Sequence, residues 1–319
     1  MCDITKIPGI MRTNGWNNGA ALMDEWFANP PNDVPANGTP DTSTIKMDSW
    51  VLTFERAKKV YDEMISGKIW VNAAAQKEII RQLKAARKFT SKEERFGDLS
   101  QPANVLDPGH IQERPVGALS DPLDDMYAAL GKFTLRMAIE GVVIPKCAPR
   151  SGASAGTGLG ASATAAAPQT YTVKSGDDLA TISRSHGVTT QELIAANPQL
   201  SQGGHHPNGI NAGDVLTIPT GRFSQQAPTA ILESCEEVIG HTVRIDAIGI
   251  YVRDSYDFNG IQYLGHWHIS SWDPLGCVIF NANFSSWRSA NGKGGDYLVY
   301  SDVKVIPLSP ADSFYVVAR

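Results

Sequence analysis

The hydrophobic and polar positions follow a helical pattern in the first part of the chain. Apolar residues recur there at intervals of three and four, which places them on one face of an α-helix. Trp16 and Met23 share such a face, and a second helical segment opens after Asp48, a residue type that is favoured at N-caps. The run NAAAQKEIIRQLKAARKF predicts a third helix, because it is rich in good helix formers. We therefore interpret residues 1–130 as a helical N-terminal region.

The pattern then changes to strand alternation. Residues 133–144 alternate apolar and polar positions, as a half-buried strand does, and we assign residues 131–147 to the first strand of a β domain. Because one strand cannot bury its face alone, we expect its partners in residues 231–319. The strand-like runs in that region are residues 241–254, 276–284, 295–308 and 312–318. The predicted fold class is α+β: an N-terminal helical region and an antiparallel β domain that forms a partial barrel or sandwich.

A compact segment interrupts this β domain. Residues 148–170 are nearly all Gly, Ala, Ser, Thr and Pro and form a linker, and a second linker at 220–230 follows the segment. We therefore predict that residues 171–219 are a domain inserted between the first and second strands. Cys147 and Cys235 flank the insert, and two interpretations stay open for them: a disulfide across its base in an oxidising compartment, or two reduced, buried cysteines.

Composition limits the class of function. The net charge of -5 and the pI of about 5.8, without a clustered basic face, argue against nucleic acid as a partner. No apolar run approaches the ~20 residues that span a bilayer, so we predict no transmembrane segment. The N-terminus lacks the pattern of a secretory signal, so we expect synthesis in the cytoplasm without one. The four cysteines form no CxxC pair and therefore indicate no zinc site.

Three motifs in the inserted segment occur in a fixed order. They are YTVKSGDDL, VTTQELIAANP and AGDVLTIP. Together they closely resemble the LysM family over residues 171–219. The resemblance implies a βααβ fold, with strands at Tyr171–Val173 and Val215–Ile218. It also implies binding of N-acetylglucosamine-containing glycans, above all bacterial peptidoglycan.

The LysM resemblance places the glycan groove between two loops. An uncharged, acetylated glycan offers amides and hydroxyls, which exposed backbone groups and short polar side chains can hold. The predicted glycan-binding residues are Gly176, Asp177, Asp178, Leu179, Asn208, Gly209, Ile210 and Asn211. The second loop is longer than usual in the family and carries His205 and His206. These histidines are either a metal-binding pair or part of a solvated loop.

Two runs outside the insert indicate a biological setting. ALGKFTLRMAIEG and IGIYVRDSYDFNGIQYLGHW resemble an uncharacterised bacterial domain family that is associated with type VI secretion and polymorphic toxins. The resemblance implies a secreted effector that a contractile injector carries into the periplasm of a target cell without a signal peptide. Its expected partners are a cognate immunity protein and a secretion spike or chaperone. A phage lysis protein fits the same features.

The segment RDSYDFNG follows an apolar run and contains an Asp-x-Tyr-Asp signature. Asp254, Tyr256 and Asp257 resemble the signature of colicin M toxins, which cleave the undecaprenyl-linked phosphodiester of lipid II. The sequence departs from that family where a His-Arg pair is expected, and Arg253 or Arg288 is expected to replace the missing arginine. The resemblance implies a lipid II phosphodiesterase in which Tyr256 orients the phosphate or the leaving group.

The remaining roles follow from the chemistry of diester cleavage, which needs neutralised phosphate charge and an activated water. Asp254 and Asp257 are predicted to hold Mg²⁺, which prefers oxygen ligands, or to polarise the water. His266 or His268 is the predicted acid or base, because a histidine titrates near neutral pH.

A structural interpretation of the same segment stays open. Asp-x-x-Asp-Phe-Asn-Gly is also typical of a turn, in which Asp257 or Asn259 caps its own backbone and Gly260 takes a positive φ. In GHWHISSWDP, Trp267 is equally consistent with a strand whose aromatic side chain faces the core.

Two classes of function therefore remain. The first is an effector that binds peptidoglycan and attacks the cell wall or its lipid II precursor. The second is a non-enzymatic, peptidoglycan-binding assembly component of a contractile injection system or phage baseplate. Paired acids such as Glu236, Glu237 or Asp246 also leave glycosidase action open, whereas the sequence has no HExxH or GxSxG motif.

Overall fold

The chain divides into two compact units, residues 1–147 with 237–319 and residues 148–236. The structure, a computed structural model, describes residues 3–118, 120–148, 169–174, 213–218, 237–268 and 276–317, and single residues between them: Leu179, Ile182, Ser183, His186, Leu193, Ile194, Ala196, Asn197, Leu200 and Ile210. The first unit combines helices with one large, curled sheet. The predicted α+β class is therefore confirmed.

Most helices of the first unit lie in the region that the apolar spacing marks as helical. The helices of the first unit are α1 (Ile7–Thr13), α2 (Asn17–Ala28), α3 (Glu55–Ser66), α4 (Ala73–Ala85), α5 (Ala103–Leu106), α6 (Asp125–Leu130) and α7 (Asn281–Asn291). α2 buries Leu22, Met23 and Trp26 on one face, and α4 begins after Asn72, whose side chain accepts the Ala75 N–H at 2.9 Å as an N-cap does. Among the described residues, no helix is both long and apolar enough to cross a bilayer.

Most strands of the first unit join one sheet. The strands of both units, in chain order, are β1 (Asp41–Ile45), β2 (Glu94–Phe96), β3 (Gln112–Val116), β4 (Phe133–Cys147), β5 (Gln169–Thr172), β6 (Val215–Ile218), β7 (Val238–Tyr256), β8 (Tyr263–Trp267), β9 (Cys277–Phe280), β10 (Tyr297–Ser301) and β11 (Lys304–Val317). Of these, β5 and β6 belong to the second unit. Seven of them form a sheet in the order β1-β10-β7-β4-β2, in which β11 also pairs with β7 and β3 with β4. The β1–β10 pairing is parallel and the other pairings in this sheet are antiparallel. β8 and β9 form a separate two-stranded ribbon.

The two longest strands, β4 and β7, lie at the centre of the sheet. They have 15 and 19 residues and pair antiparallel along most of their length. Strands that are buried on both faces are near-continuous apolar runs, and residues 247–252 of β7 form such a run, whereas β4 keeps the alternation of its sequence. A bulge interrupts their pairing at Gly141, where a Cβ atom would lie 2.0 Å from the carbonyl oxygen of Arg244. Only glycine permits so close an approach of two backbones.

The two faces of the sheet carry different layers. Ile250 and Val252 of β7 belong to the main core, together with Leu22 and Trp26 of α2. The opposite face carries a smaller apolar cluster around Tyr251. Because successive side chains of a strand point to opposite faces, this division decides where each functional candidate at the end of β7 lies.

The structure differs from the sequence interpretation at several elements. The helix predicted after Asp48 begins later, with Phe54 at the N-cap position, because Asp48 lies on the surface and pairs with Lys304. The run 276–284 is divided between β9 and α7 and is not one strand. The N-terminal region also supplies β1, β2 and β3, because edges of β10 and β4 are available for them to pair with.

The second unit has the predicted pair of LysM strands, β5 and β6, in antiparallel register. Leu179, Ile182 and Leu193 are buried in its core. Asn197 is fully buried; its amide donates to the Thr217 carbonyl oxygen at 2.8 Å, and the Thr217 N–H donates to its Oδ1 at 2.7 Å. This reciprocal contact ties the AANP motif to the last strand of the unit.

Candidate functional site

The segment RDSYDFNG begins in β7 and leaves the sheet after Tyr256. Strand alternation places Asp254 and Tyr256 on the face covered by helices and Arg253 on the Tyr251 face. Burial raises the pKa of Tyr300, and the charge of Arg253, its partner across the sheet, opposes that rise. The structure therefore separates Arg253 from the two other catalytic candidates of the strand.

Asp254 and Tyr256 lie in a largely enclosed environment. Asp254 is densely surrounded by protein although part of the residue stays accessible, and this burial raises its pKa well above its ordinary range, with a further contribution from the nearby charge of Asp257. Tyr256 is 7% exposed, and its ring centroid lies 5.5 Å from that of Phe258 and 5.7 Å from that of Tyr297. The end of β7 thus holds a carboxyl whose neutral form is favoured, beside a buried phenol.

The two histidines that we predicted to be catalytic lie on the β8–β9 ribbon. His266 and His268 are exposed, and their ring centroids are 5.8 Å apart in a stacked arrangement. Neither histidine makes a described hydrogen bond or ion pair with Asp254 or Asp257. In the part of the chain that the structure describes, His, Cys, Asp and Glu side chains form no group of three or more that suits a metal ion. The charge of Asp257 thus affects the pKa of Asp254, whereas the histidines have no described hydrogen bond or ion pair with either aspartate.

The second half of the segment forms a turn with structural partners. Asp257 Oδ1 accepts the N–H of Asn259 at 3.4 Å. The ring of Phe258 stacks on that of Phe284, with centroids 3.7 Å apart. Gly260 has a φ of 75°, which favours glycine over other residues. These contacts support the structural interpretation of residues 257–260.

Asn259 also belongs to a buried polar network that sequence reasoning missed. Asp296 is fully buried and accepts hydrogen bonds from Asn259 Nδ2 at 2.8 Å and from Trp26 Nε1 at 2.7 Å. Arg288 forms an ion pair with Asp296 and lies over the Trp26 ring, 5.3 Å from its centroid. Burial raises the pKa of Asp296, and the Trp26 and Arg288 contacts oppose that rise. Because the carboxylate is matched by partners, loss of one partner would leave a buried charge uncompensated. The network therefore has a structural role and does not offer a free acid.

A second missed network covers the Tyr251 face of the sheet. Arg136 Nη1 lies 2.8 Å from both carboxylate oxygens of Asp107, and the hydroxyls of Tyr251 and Tyr300 donate to Asp107 at 3.3 and 3.2 Å. Burial raises the pKa of both tyrosines, and the charge of Asp107 adds to the rise. The Nε atom of Arg253, on the same face, is buried without a hydrogen-bond partner. The members of this network are far apart in the sequence, so no local motif indicates it.

Two carboxyl groups meet between α2 and β1. Glu25 lies close enough to Asp41 and Tyr297 for both to influence its pKa. Burial, and then the charge of Asp41, raises the pKa of Glu25 to about 7. Asp41 is 7% exposed and accepts the N–H groups of Ser43 and Thr44, each at 2.9 Å. Glu25 therefore retains its proton to a higher pH than an ordinary glutamate does.

The predicted glycan site is described only in part. Leu179 is 4% exposed and lies in the core of the second unit, against which Ile210 packs. The side chain of Leu179 therefore supports the core. The other predicted glycan-binding residues lie outside the described residues: Gly176, Asp177, Asp178, Asn208, Gly209 and Asn211. His205 and His206 also lie outside them.

Cys147, at the end of β4, is disulfide-bonded, and so is Cys277 at the start of β9. The partner that we predicted for Cys147 is Cys235, which lies outside the described residues. The pairing of Cys147 with Cys235 therefore stays a prediction.

The fold and the inserted unit define an α+β protein that carries a glycan-binding module of the LysM class. The LysM domain family matches residues 171–219, which confirms the resemblance drawn from the three motifs. The chain as a whole belongs to a family of unknown function, DUF6402, which matches residues 2–171, 201–273 and 274–316.

Among curated proteins, the chain is similar to the secreted LysM effector ECP6 of Passalora fulva. The two are 40% identical over 58 residues, which is 18% of this chain and 24% of that protein. The chain thus spans about a quarter of the length of the curated relative that it matches. No solved structure matches the chain.

Proposed function

We propose that this protein is an antibacterial effector that binds peptidoglycan through its LysM insert and is delivered by a type VI secretion system into the periplasm of a target cell. The LysM match over residues 171–219 carries the proposal, because modules of this class bind N-acetylglucosamine-containing glycans. The insert leaves the first unit between β4 and β7, the two central strands. A glycan-bound insert would therefore keep the whole α+β unit at the cell wall.

Two further observations support a secreted effector. Cys147 and Cys277 each take part in a disulfide bond. Disulfides persist in oxidising compartments such as the periplasm. The similarity to a protein named as a secreted LysM effector points in the same direction. An effector of this kind requires a cognate immunity protein in the producing cell and a spike or chaperone for delivery.

The action that we assign to the α+β unit is hydrolysis of the lipid II phosphodiester at Asp254 and Asp257. Water bonds to phosphorus and gives a proton to Asp257, while the bond from phosphorus to the leaving oxygen breaks and that oxygen takes a proton from Asp254. A carboxyl that is kept neutral by burial suits the role of proton donor, and burial raises the pKa of Asp254.

Mg²⁺ fits these two residues poorly. The metal binds ionised carboxylates, whereas burial favours the neutral form of Asp254. The described residues also offer no group of three or more candidate ligands. We therefore derive no step through a metal ion.

Expression of the full chain in a Gram-negative host tests this function. Behind an added signal peptide the protein should lyse the cells, and without one it should not. Asp254→Asn and Asp257→Asn should each abolish lysis at unchanged protein level and unchanged binding to sacculi. Asp62→Asn, which changes an exposed carboxylate on α3, is the matched control and should still lyse. Lysis by both active-site variants would exclude the proposed hydrolysis.

A non-enzymatic role in the assembly of a contractile injector or phage baseplate is the second candidate. The observation that favours it is the separation of the predicted catalytic residues. Arg253 lies on the opposite face of the sheet from Asp254, and His266 and His268 lie on the exposed ribbon. This candidate predicts that the protein is harmless in both compartments although it sediments with peptidoglycan sacculi.

A further inference from the structure

The outer face of the β8–β9 ribbon is apolar and exposed. Its large side chains keep much of their surface accessible: Tyr263 58%, Val278 50%, Phe280 39% and, beside the ribbon, Ile261 99%. The inner face is buried against the main core, since Ile279 is fully buried and the Trp267 ring lies edge-on to Trp16 at 6.3 Å between centroids. The exposed side chains therefore lie on a ribbon whose opposite face packs against the main core.

Aromatic rings run along this outer face. Tyr263 and Phe280 are opposite each other in the register, with ring centroids 5.7 Å apart in an edge-to-face arrangement. Further along, His266 lies opposite Val278 and stacks on His268. The face thus presents flat, amphipathic rings in a row, a kind of side chain that offers large contact area at low entropic cost.

The ribbon carries no formal charge. Residues 260–268 and 276–280 contain no Asp, Glu, Lys or Arg. Their polar groups are the imidazole rings, the Tyr263 hydroxyl and the Gln262 amide, which donate and accept hydrogen bonds. An anionic lipid surface selects Lys and Arg beside the apolar side chains, and the net charge of the chain is -5. An uncharged polymer with apolar C–H faces and hydroxyl or amide edges matches this surface better.

We propose that the outer face of the β8–β9 ribbon is a second glycan-binding surface, on which sugar rings of an N-acetylglucosamine-containing polymer stack against Tyr263 and Phe280. The inference rests on the proposed glycan binding by the LysM insert, because both sites then engage the same polymer. A second contact on a tethered polymer acts at an effective concentration of about millimolar. Weak stacking therefore raises the affinity for a long polymer and leaves that of the LysM insert for a short oligomer unchanged.

Polymer length separates the two sites experimentally. The full chain is titrated with the N-acetylglucosamine tetramer by calorimetry and is sedimented with peptidoglycan sacculi. Tyr263→Ala combined with Phe280→Ala should weaken sacculus binding by about 10-fold or more and leave tetramer affinity unchanged. Tyr315→Ala combined with Val317→Ala is the matched control, since these β11 residues are 47% and 64% exposed, and it should change neither.

Several results would overturn the inference. Unchanged sacculus binding by the ribbon variant, with wild-type thermal stability, excludes a glycan contact on this face. Unchanged sacculus binding together with lost binding to phosphatidylglycerol vesicles would assign the face to lipid. Unchanged sacculus binding together with a dimer-to-monomer shift would assign it to a second copy of the chain. Failure of the LysM function is distinguishable, because the wild type would then not bind the tetramer while the ribbon variant would still lose sacculus binding.

Discussion

Asn259 donates a hydrogen bond at 2.8 Å to the fully buried carboxylate of Asp296. The contact joins positions 37 residues apart and ties the turn after β7 to the residue that precedes β10. The two halves of the segment RDSYDFNG therefore differ in role. The strand half carries the Asp254 carboxyl, whereas Asn259 in the turn half makes a structural hydrogen bond. A substitution in this segment therefore has to be tested for stability as well as for activity.

Asn259→Ala is expected to destabilise the first unit. It removes a hydrogen bond to a buried charge, and such bonds contribute about 1.5–3 kcal/mol. Urea unfolding followed by tryptophan fluorescence measures the loss. Asn291→Ala is the matched control, because the side chain of this exposed residue donates to the Trp287 carbonyl oxygen within α7, and it should cost much less. An equal loss for both variants would contradict a special role for the Asp296 network.

Glu25→Gln should change how stability depends on pH. The pKa of Glu25 rises from 4.5 to about 7 in the folded protein, chiefly through burial and then through Asp41. Between these values the folded state keeps a proton that the unfolded chain has released, so wild-type stability falls as pH rises through this window. The glutamine variant has no such loss, and at pH 8 it should be more stable than wild type by about 1–2 kcal/mol after allowance for solvent screening.

Thermal unfolding of the wild type and the Glu25→Gln variant at pH 4 and pH 8 checks this prediction. The two proteins should differ little at pH 4, where Glu25 is protonated in both the folded and the unfolded state. A stability difference of the same size at both pH values would show that the Glu25–Asp41 contact, and not its proton, decides the effect.

Asp107→Ala should be more damaging than Tyr251→Phe. The first change removes the partner to which Arg136 Nη1 donates two hydrogen bonds, in a setting where the two side chains are only 16% and 14% exposed. It leaves Arg136 with Glu113, which is half-exposed, as its ion-pair partner, at a cost of about 2–4 kcal/mol. The second removes one hydrogen bond of about 1 kcal/mol. Because the largely buried charge of Arg136 then keeps only the half-exposed Glu113 as a partner, Asp107→Ala combined with Arg136→Met should be less damaging than Asp107→Ala alone. Additive losses in a denaturant double-mutant cycle would exclude this coupling.

Asn197→Ala should unfold the LysM unit selectively. Asn197 is fully buried and exchanges hydrogen bonds with the backbone of Thr217, so truncation leaves buried backbone groups unpaired at about 1–3 kcal/mol each. We expect loss of tetramer binding and faster proteolysis within residues 171–219, while the first unit keeps its melting temperature. Thr172→Ala, at an exposed position of β5, is the control. Retained tetramer affinity in Asn197→Ala would contradict a supporting role for this residue.

Local sequence motifs were sufficient to predict the strands and the core of the LysM unit. β6 has the bounds Val215–Ile218 that the LysM resemblance implies, and apolar positions of the LysM motifs form the core of the second unit. The boundary between β9 and α7 could not be predicted in this way. It depends on Phe284, which packs against Phe258 from a different segment.

The sequence by itself determined the α+β class, the position of the insert and its LysM identity, because these follow from periodicity, linker composition and ordered motifs within short stretches. Only the tertiary structure decided how the residues of RDSYDFNG are distributed. Alternation along β7 is a local property, but what covers each face depends on distant segments that pack there. For that reason Asp254 lies on the helix-covered face, Arg253 lies beside Tyr300, and Asn259 holds Asp296.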